Sequence, residues 1–265
     1  MEILLHPALI AGAATVLFAS ALAAFFFVFT RGALMLRTIR GKASGAADHI
    51  YPVYSEMWLI RLLDFQPIIS AILLFQYKAM VDRIVEELRD TVLSGKRVLI
   101  TSCAFGNVIP RIVCAAGACG AHKVIIADLL ENELINAKRK LDPAARIELA
   151  QENAVAMDLA NGVVQVNILF FLLHELPHHL KVVALHEAAR VTRSGGKLII
   201  AEFHKPTSPV LRMLSRLYFL VFEPYGLALW DEHDPVWHLE KDGEWTCTRD
   251  TFCFGNYQLI VATKR

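Results

Sequence analysis

The sequence lacks the features that indicate a disulfide framework, a structural zinc site or a nucleic-acid partner. Its five cysteines include no CxxC pair, and an odd number of them cannot all pair with one another. Reduced thiols on the cytosolic side of a membrane are therefore expected. The formal net charge is +1 over 265 residues, which provides no basic surface field, so we expect no nucleic-acid partner.

Charged side chains are missing altogether from residues 8–30, where Leu, Phe, Val and Ala dominate. A helix of this length rises roughly 34 Å, more than the ~30 Å hydrocarbon core of a bilayer. Four basic residues follow between positions 31 and 42, whereas Glu2 is the only ionised side chain before the run. Residues 1–31 are thus predicted to form a single transmembrane anchor, with the remainder of the chain in the cytoplasm. The membrane would be a bacterial inner membrane, or a mitochondrial inner membrane in a eukaryote. The alternative is a buried core helix.

Residues 32–94 are predicted to form a linker followed by membrane-proximal amphipathic helices. Residues 41–48 are small and flexible, and residues 57–77 are apolar but interrupted by two charges and a proline. This stretch fits a helix in the membrane interface, with Trp58 and Tyr77 as its interfacial aromatics. It fits equally well a helix that packs on the following domain. Residues 78–93 have helical spacing and lead into the first strand.

From residue 95 to residue 265 the sequence alternates between β-rich runs and helical stretches. Strands are predicted at residues 97–101, 123–128, 146–150, 163–171 and 197–203. Helices are predicted after Asn107 and at residues 132–141 and 180–192, and residues 194–196 are predicted to form a turn. Strands separated by helices indicate an α/β domain with a doubly wound parallel sheet. Its ligand crevice would lie at the carboxyl ends of the strands.

Three landmarks fall where that crevice is expected. The first is the small-residue turn 102–107, whose following helix N-terminus would offer unpaired N–H groups to a ligand. The second is Asp128, which ends the second strand and could accept both hydroxyls of a ribose, or could cap the next helix. The third is Asn153-Ala154 after the third strand, where an amide could bind an adenine edge or simply lie in a solvated loop.

The order of these pieces resembles the class I S-adenosylmethionine (SAM) dependent methyltransferases over about two-thirds of the chain. "ALHEAARVTRSGGKLIIAEF" looks like that family's helix, Gly-Gly turn and fifth strand, and "CFGNYQLIVATK" looks like its antiparallel last two strands. The usual acidic start and three-glycine pattern of the first loop are missing. The resemblance implies a Rossmann-like sheet of about seven strands and SAM as cofactor. It also implies a set of cofactor-binding residues: Ser102, Cys103, Gly106, Asn107, Asp128, Leu129, Asn153, Ala154 and Phe170.

A narrower resemblance involves the rhodoquinone-biosynthesis family RquA, through "VLITSCAFGNVIPRI", "FFLLHELP", "AEFHKP" and "EPYGLALW". It implies replacement of a methoxy group of ubiquinone by an amine, with SAM as amino donor and Mn(II) assistance. The substrate would be an isoprenoid quinone held in the membrane. The alternative is methyl transfer to a quinone precursor or another lipid, and a third hypothesis is a non-catalytic SAM-binding scaffold. The sequence gives no prediction of oligomeric state.

Candidate catalytic residues are His174, Glu175 and His204, which follow the fourth and fifth strands. His174 and Glu175, together with Asp231, are candidate metal ligands, since Mn(II) binds imidazole and carboxylate groups. In a methyltransferase, His174 or His204 would be the general base. Within the insertion at residues 223–237, three aromatic side chains could stack on a quinone ring: Tyr225, Trp230 and Trp237. Residues 210–222 would form one wall of an isoprenoid tunnel or pack in the core.

Overall fold

The protein is described by a computed structural model that divides into two compact units, at residues 1–59 and 60–265. The described residues are 16–21, 57–223, 225–230, 234–241 and 243–265. In the first unit, residues 16–21 are helical and exposed. Among the described residues, no helix combines the length and hydropathy that a membrane span needs. Most of the anchor predicted at residues 1–31 lies outside the described residues, so it stays a prediction.

Three helices precede the sheet: α1 (Met57–Leu63), α2 (Gln66–Ile72) and α3 (Tyr77–Arg89). Pro67 lies in the first turn of α2, where its missing N–H is not needed, so the stretch predicted as one helix is divided. Helix α3 buries Met80, Ile84 and Leu88 as its spacing predicts. The prediction that Tyr77 is an interfacial aromatic is wrong, because its side chain is only 1% exposed within the second unit.

The sheet contains seven strands in the order β3-β2-β1-β4-β5-β7-β6. The first five pair in parallel, whereas β7 pairs antiparallel with both β5 and β6. This confirms the predicted sheet of about seven strands with an antiparallel last pair. The strands are β1 (Arg97–Thr101), β2 (Lys123–Asp128), β3 (Ile147–Gln151), β4 (Val164–Phe170), β5 (Thr192–Phe203), β6 (Trp245–Phe252) and β7 (Tyr257–Lys264).

Helices connect the strands, as expected for a parallel sheet. They are α4 (Val108–Ala118), α5 (Glu131–Arg139), α6 (His178–Val191), α7 (Pro209–Phe222) and α8 (Pro235–Glu240). Short 3₁₀ turns occupy Leu173–Glu175 and Gly226–Leu229. Proline in the first turn and a side-chain cap start both α7 and α8, where Ser208 accepts from the N–H of Leu211 and Asp234 from that of Val236.

The predicted Ser194–Gly196 turn lies inside β5. Val164 pairs with Thr192 and Val166 with Lys197, so residues 193–196 bulge out of the ladder. Gly195 has φ +71°, which a glycine adopts without strain. The strand therefore begins five residues before its predicted start, because a bulge rather than a turn absorbs the glycines.

The carboxyl ends of β1 to β4 lie side by side at one edge of the sheet. Thr101 pairs with Ala127, and Asp128 pairs with Gln151. The segments that follow these strands are therefore brought together at this edge, which is where parallel sheets bind ligands.

Candidate active site

The loop between β1 and α4 is tied to the end of β2. The N–H of Ser102 donates to the carbonyl of Ala127 at 2.8 Å, and the N–H of Cys103 donates to Asp128 Oδ2 at 2.6 Å. Ser102 has φ +78°, an unusual conformation for a residue with a side chain. These contacts place the first two landmarks of the sequence in direct contact.

Asp128 is 8% exposed, and burial raises the pKa of its carboxyl group. Its second oxygen, Oδ1, accepts from the N–H of Leu130 at 2.8 Å. Asp128 does not cap α5, because Leu130 occupies the N-cap position and no side chain caps this helix. The N–H of Leu129 and the thiol of Cys103 also interact with this carboxylate, so a further donor such as a ribose hydroxyl would share its acceptor sites.

The first turn of α4 does not offer the unpaired N–H groups that the sequence predicts. Three side chains from the preceding helical region already bind them, and we call this set the loop clasp: Asp64, Gln66 and Tyr77. The N–H groups of Gly106, Asn107 and Val108 donate to these side chains in turn, at 2.8, 3.0 and 2.7 Å. The Tyr77 hydroxyl also donates to the carbonyl of Phe105 at 3.0 Å. The side chain of Asn107 makes no cap.

Lys140, which follows α5, connects that helix to the loop clasp. Its Nζ lies 2.7 Å from Asp64 Oδ1 and donates to the carbonyl of Gly106 at 3.0 Å. Arg139 lies 3.6 Å from the same carboxylate. The buried charge of Asp64 is therefore compensated by cations from another element, which explains how it is tolerated.

Glu133, in the first turn of α5, is a site residue that sequence reasoning missed. Its side chain is buried, and the residue is 3% exposed. Within the described part of the chain its Oε1 has no hydrogen-bond partner. Burial, followed by the charge of Asp128, raises the pKa of Glu133 to about 8. The sequence feature that could have identified it is its position next to the buried Leu134, in the helix that follows the second strand.

The remaining predicted cofactor contacts lie near this edge in different environments. Asn153 is exposed, and its Oδ1 accepts from the N–H of Val155 at 3.1 Å, the arrangement of a loop Asn; Ala154 next to it is half-buried. Leu129 is 37% exposed. Phe170, at the end of β4, is buried with its ring centroid 5.8 Å from that of Tyr77.

The second half of the site is a buried pair formed by His174 and Glu202. His174 Nδ1 lies 2.9 Å from Glu202 Oε1, and the His174 N–H donates to Glu202 Oε2 at 3.2 Å. Glu202 is 0% exposed. Burial alone would lower the pKa of His174, but the charge of Glu202 opposes it and raises the pKa to about 9. The N–H of Phe203 also donates to this carboxylate, at 2.8 Å.

Lys181 holds the turn that carries His174, and the sequence analysis did not identify it. Its Nζ donates to the carbonyls of Leu173 and Leu176 at 2.6 and 2.7 Å, and the residue is 0% exposed. Burial lowers the pKa of Lys181 to about 8. A signal existed, because Lys181 shares the buried face of α6 with Ala184, Leu185 and Ala188.

Aromatic rings surround the His174 side of the crevice. The Phe203 ring lies edge-on to His174 at a centroid distance of 4.9 Å and to Phe171 at 5.1 Å. Around Phe203 a further set of rings packs: Tyr218, Phe219 and Tyr257. Of the predicted stacking residues, Trp230 joins this set through Phe219, whereas Tyr225 contacts His178 and Trp237 is 63% exposed.

The other predicted catalytic and metal-binding residues are not assembled with His174 as a metal site. His204 uses both ring nitrogens, Nδ1 with the Gly255 carbonyl at 2.8 Å and Nε2 with Arg249 at 3.3 Å. Asp231 lies outside the described residues. Within the described ranges, no three His, Cys, Asp or Glu side chains come together as metal ligands. The described part of the chain therefore gives no support for the Mn(II) that the resemblance implies.

Glu175 links the two halves of the site. Its carboxylate raises the pKa of Glu133 on one side and that of His174 on the other. Both groups are therefore close enough to Glu175 to interact with its charge.

Comparison with known sequences points to one family. The profile of the ubiE/COQ5 methyltransferase family matches residues 66–252. A demethylmenaquinone methyltransferase of Lactococcus lactis is 33% identical over 135 residues, covering 50% of this chain and 52% of that protein. The ubiquinone/menaquinone biosynthesis C-methyltransferase UbiE of Syntrophotalea carbinolica is 35% identical over 132 residues, covering 49% and 54%. The match thus spans about half the length of these curated relatives.

Solved structures share the fold at low sequence identity. A SAM-dependent methyltransferase from Mesorhizobium loti superposes with a TM-score of 0.51 at 15% identity, over 70% of this chain and 100% of that one. A SAM-dependent methyltransferase from Methanosarcina mazei gives a TM-score of 0.51 at 16% identity, over 67% and 96%. These similarities show the Rossmann-like class I methyltransferase fold.

Proposed function

The chain belongs to the ubiE/COQ5 methyltransferase family, and on that premise we propose that it is a SAM-dependent methyltransferase acting on the ring of an isoprenoid quinone precursor. The observation that carries this proposal is the buried His174–Glu202 pair beside a cluster of aromatic rings. The pair lies at the sheet edge where Asp128 ends β2. A base, a place for an aromatic ring and a place for a nucleoside are the parts that this reaction needs.

The Asp128 side of the crevice fits the cofactor. The carboxylate is held by backbone N–H groups, and ribose hydroxyls would donate to it in addition. The buried carboxyl group of Glu133 lies close by, its Oε1 has no partner among the described residues, and a sulfonium ion would favour its charged form. When bound, the cofactor would supply an electrophilic methyl group. The residues of the chain orient it and exclude water.

His174 is the proposed general base. Its Nδ1 is engaged by Glu202, so Nε2 is the nitrogen that would receive a proton from a quinol hydroxyl. Against the effect of burial, Glu202 raises the pKa of His174 to about 9, so the base is the deprotonated imidazole, which is a minor fraction at pH 7. Because the pKa of a phenol is about 10, proton transfer between the two groups is close to balanced. Removing this proton makes the ring carbon more nucleophilic. His204 is not assigned this role, because both its nitrogens are engaged.

The aromatic set around Phe203 supports a flat, apolar ring as the acceptor. Phe171 and Phe203 present their edges near His174, an arrangement that suits stacking or edge contact with a quinol. Lys181 holds the turn that carries His174 in place, since its Nζ donates to the carbonyls of Leu173 and Leu176. A quinol held against these rings would place its hydroxyl group near Nε2.

A second candidate is the replacement of a ubiquinone methoxy group by an amine. The observation that favours it is the first loop, which lacks the three-glycine pattern and has its N–H groups bound by the loop clasp. The four sequence stretches that resemble the RquA family point the same way. The curated relatives, in contrast, carry names of C-methyltransferases.

We also propose that the protein works at a membrane, which is where a long isoprenoid chain is soluble. Helix α7 supports this, because it exposes a stripe of apolar side chains with helical spacing: Val210, Met213, Leu214, Leu217 and Leu220, each at least 52% exposed. Arg212 and Arg216 flank the stripe, and the helix contains no acidic residue. Such a face fits the anionic surface of a cytoplasmic leaflet. A single-pass anchor at residues 8–30 stays part of this proposal.

The deciding experiment incubates the full chain with SAM that carries a deuterated methyl group, in vesicles that contain either a demethylated isoprenoid quinol or ubiquinone. Mass spectrometry of the lipids should show the deuterated methyl on the quinol ring. His174→Gln should abolish most of this product, whereas His186→Gln, an exposed histidine of α6, should not. An aminated ubiquinone without label would support the second candidate and overturn the first. Absence of either product from a folded, SAM-binding protein would overturn both.

A further inference from the structure

Glu133 lies in the first turn of α5, the helix that follows Asp128 at the end of β2. It acts electrostatically on the thiol of Cys103 after β1, and the charges of Asp128 at the end of β2 and Glu175 after β4 act on it in turn. The residue is 3% exposed, and its Oε1 has no partner among the described residues. A buried carboxyl oxygen without a donor costs free energy, so such a group calls for a ligand that completes it.

The surroundings of Glu133 are acidic. Three carboxylates raise its pKa, those of Asp128, Glu175 and Asp64, whereas Lys140 alone lowers it. Lys140 is already engaged with Asp64 at 2.7 Å and with the carbonyl of Gly106 at 3.0 Å. The other charged groups of α5 near this end are exposed, as Glu131 illustrates. Asp64 is compensated by Lys140 and Arg139. The charges of Asp128 and Glu175 remain, which together with burial raise the pKa of Glu133, and a cation bound there would favour its carboxylate form.

We propose that Glu133 is the charge partner of the sulfonium group of the cofactor, and that it distinguishes SAM from the product of methyl transfer, whose sulfur is neutral. The proposal rests on the proposed function, because it assumes a sulfonium cofactor in this crevice. It goes further in assigning the recognition of the cofactor's charge to a residue of α5, outside both the β1 loop and the end of β2. Loss of the sulfonium charge on transfer of the methyl group removes the partner of Glu133 and favours product release.

The protonation state of Glu133 allows this interaction with the sulfonium group to be measured. With a pKa of about 8, the group holds a proton at pH 7 in the empty site. A sulfonium beside it favours the carboxylate and lowers the pKa, so SAM binding releases that proton to the buffer. Affinity for SAM should consequently rise about tenfold per pH unit below pH 8, through this group, and level off above it.

The test is titration calorimetry of the full chain with SAM at pH 7, in two buffers of different ionisation enthalpy. The difference in heat gives the number of protons released, and close to one per SAM is expected from Glu133. Glu133→Gln should still bind SAM but release fewer protons, whereas Glu131→Gln, exposed on the same helix, should match the original chain. S-adenosylhomocysteine should release fewer protons than SAM with the original chain and the same number with Glu133→Gln.

Each outcome has a separate meaning. Equal proton release by the original chain and Glu133→Gln, or equal release with SAM and S-adenosylhomocysteine, would overturn the inference while leaving the proposed function intact. No heat of SAM binding by a folded chain would instead remove the cofactor from the proposed function. If Glu133→Gln fails to fold, Glu133→Met provides the uncharged replacement. The comparison of proton release with SAM and with S-adenosylhomocysteine in the original chain tests the inference without any variant.

Discussion

Nδ1 of His174 and Oε1 of Glu202 lie 2.9 Å apart at the ends of two neighbouring strands. The same carboxylate accepts from the backbone N–H of His174 at 3.2 Å, so Glu202 fixes both the charge and the orientation of the imidazole ring. The segments that carry the two residues are adjacent, because β4 and β5 pair directly up to Phe170 and Ala201. The pair has the geometry of a base with its orienting carboxylate.

Glu202→Gln should weaken this base. Without the carboxylate, the effect of burial dominates and the pKa of His174 falls well below about 9. The rise of kcat with pH should therefore occur at lower pH. The plateau rate should fall about 10-fold to 100-fold, because a weaker base removes the quinol proton less readily. The pH dependence of kcat measures both effects. Glu148→Gln, on the half-exposed carboxylate of β3, is the control. If the rise of kcat with pH is not shifted in Glu202→Gln, His174 is not the titrating group.

The same pair should make the folded protein less stable in alkali. The pKa of His174 is raised from 6.5 to about 9 on folding, so its contribution is complete below pH 6.5 and is lost as the pH rises through about 9. The lost stability should reach up to about 3 kcal/mol. Urea unfolding at pH 6 and pH 9.5 measures it, and His174→Gln should reduce the difference. An identical difference in the variant would contradict the assignment of the raised pKa to His174.

The architecture was predictable from the sequence because strands and helices alternate with clear periods. β1 and β2 have their predicted bounds, and α3 buries the side chains that its spacing indicates. The start of β5 was predicted wrongly, because two consecutive glycines are typical both of a turn and of a bulge within a strand. Gly195 and Gly196 form a bulge. The residues themselves do not show whether the chain reverses at the glycines or continues as a strand with a bulge.

The candidate site was predictable only in part, because its contacts join residues far apart in sequence. The end of β2 identified Asp128, but nothing local indicates that Tyr77 would bind Val108 across 31 positions, or that Asp64 would bind Gly106 across 42. Burial of Glu133 and Lys181 likewise depends on tertiary packing that overrides their usual preference for the surface. Charged residues on apolar helix faces were the signal that the sequence did contain.

The loop clasp predicts opposite effects of alanine at two glycines near α4. In Gly106→Ala the added Cβ would lie 2.6 Å from the Tyr77 hydroxyl, at a backbone φ of +79°. The free energy of unfolding should fall by about 2 kcal/mol or more, because strain and a disrupted hydrogen bond add. Gly117→Ala, with no atom within 4 Å of its Cβ, should instead gain roughly 0.5–1 kcal/mol. Urea denaturation measures both. Equal effects at the two positions would show that Tyr77 does not confine Gly106.

Leu217→Glu should test whether the exposed face of α7 contacts a membrane. Leu217 is 59% exposed, so the substitution costs little in folding, but a charge there would oppose insertion into the lipid surface. The KM for a long-chain quinol in anionic vesicles should rise roughly tenfold. Turnover of a short-tailed, water-soluble analogue should not change, because that substrate needs no lipid surface. Val183→Glu, at a 42% exposed position of α6, is the matched control. If Leu217→Glu and Val183→Glu behave alike with both substrates, α7 does not serve as the membrane-binding face.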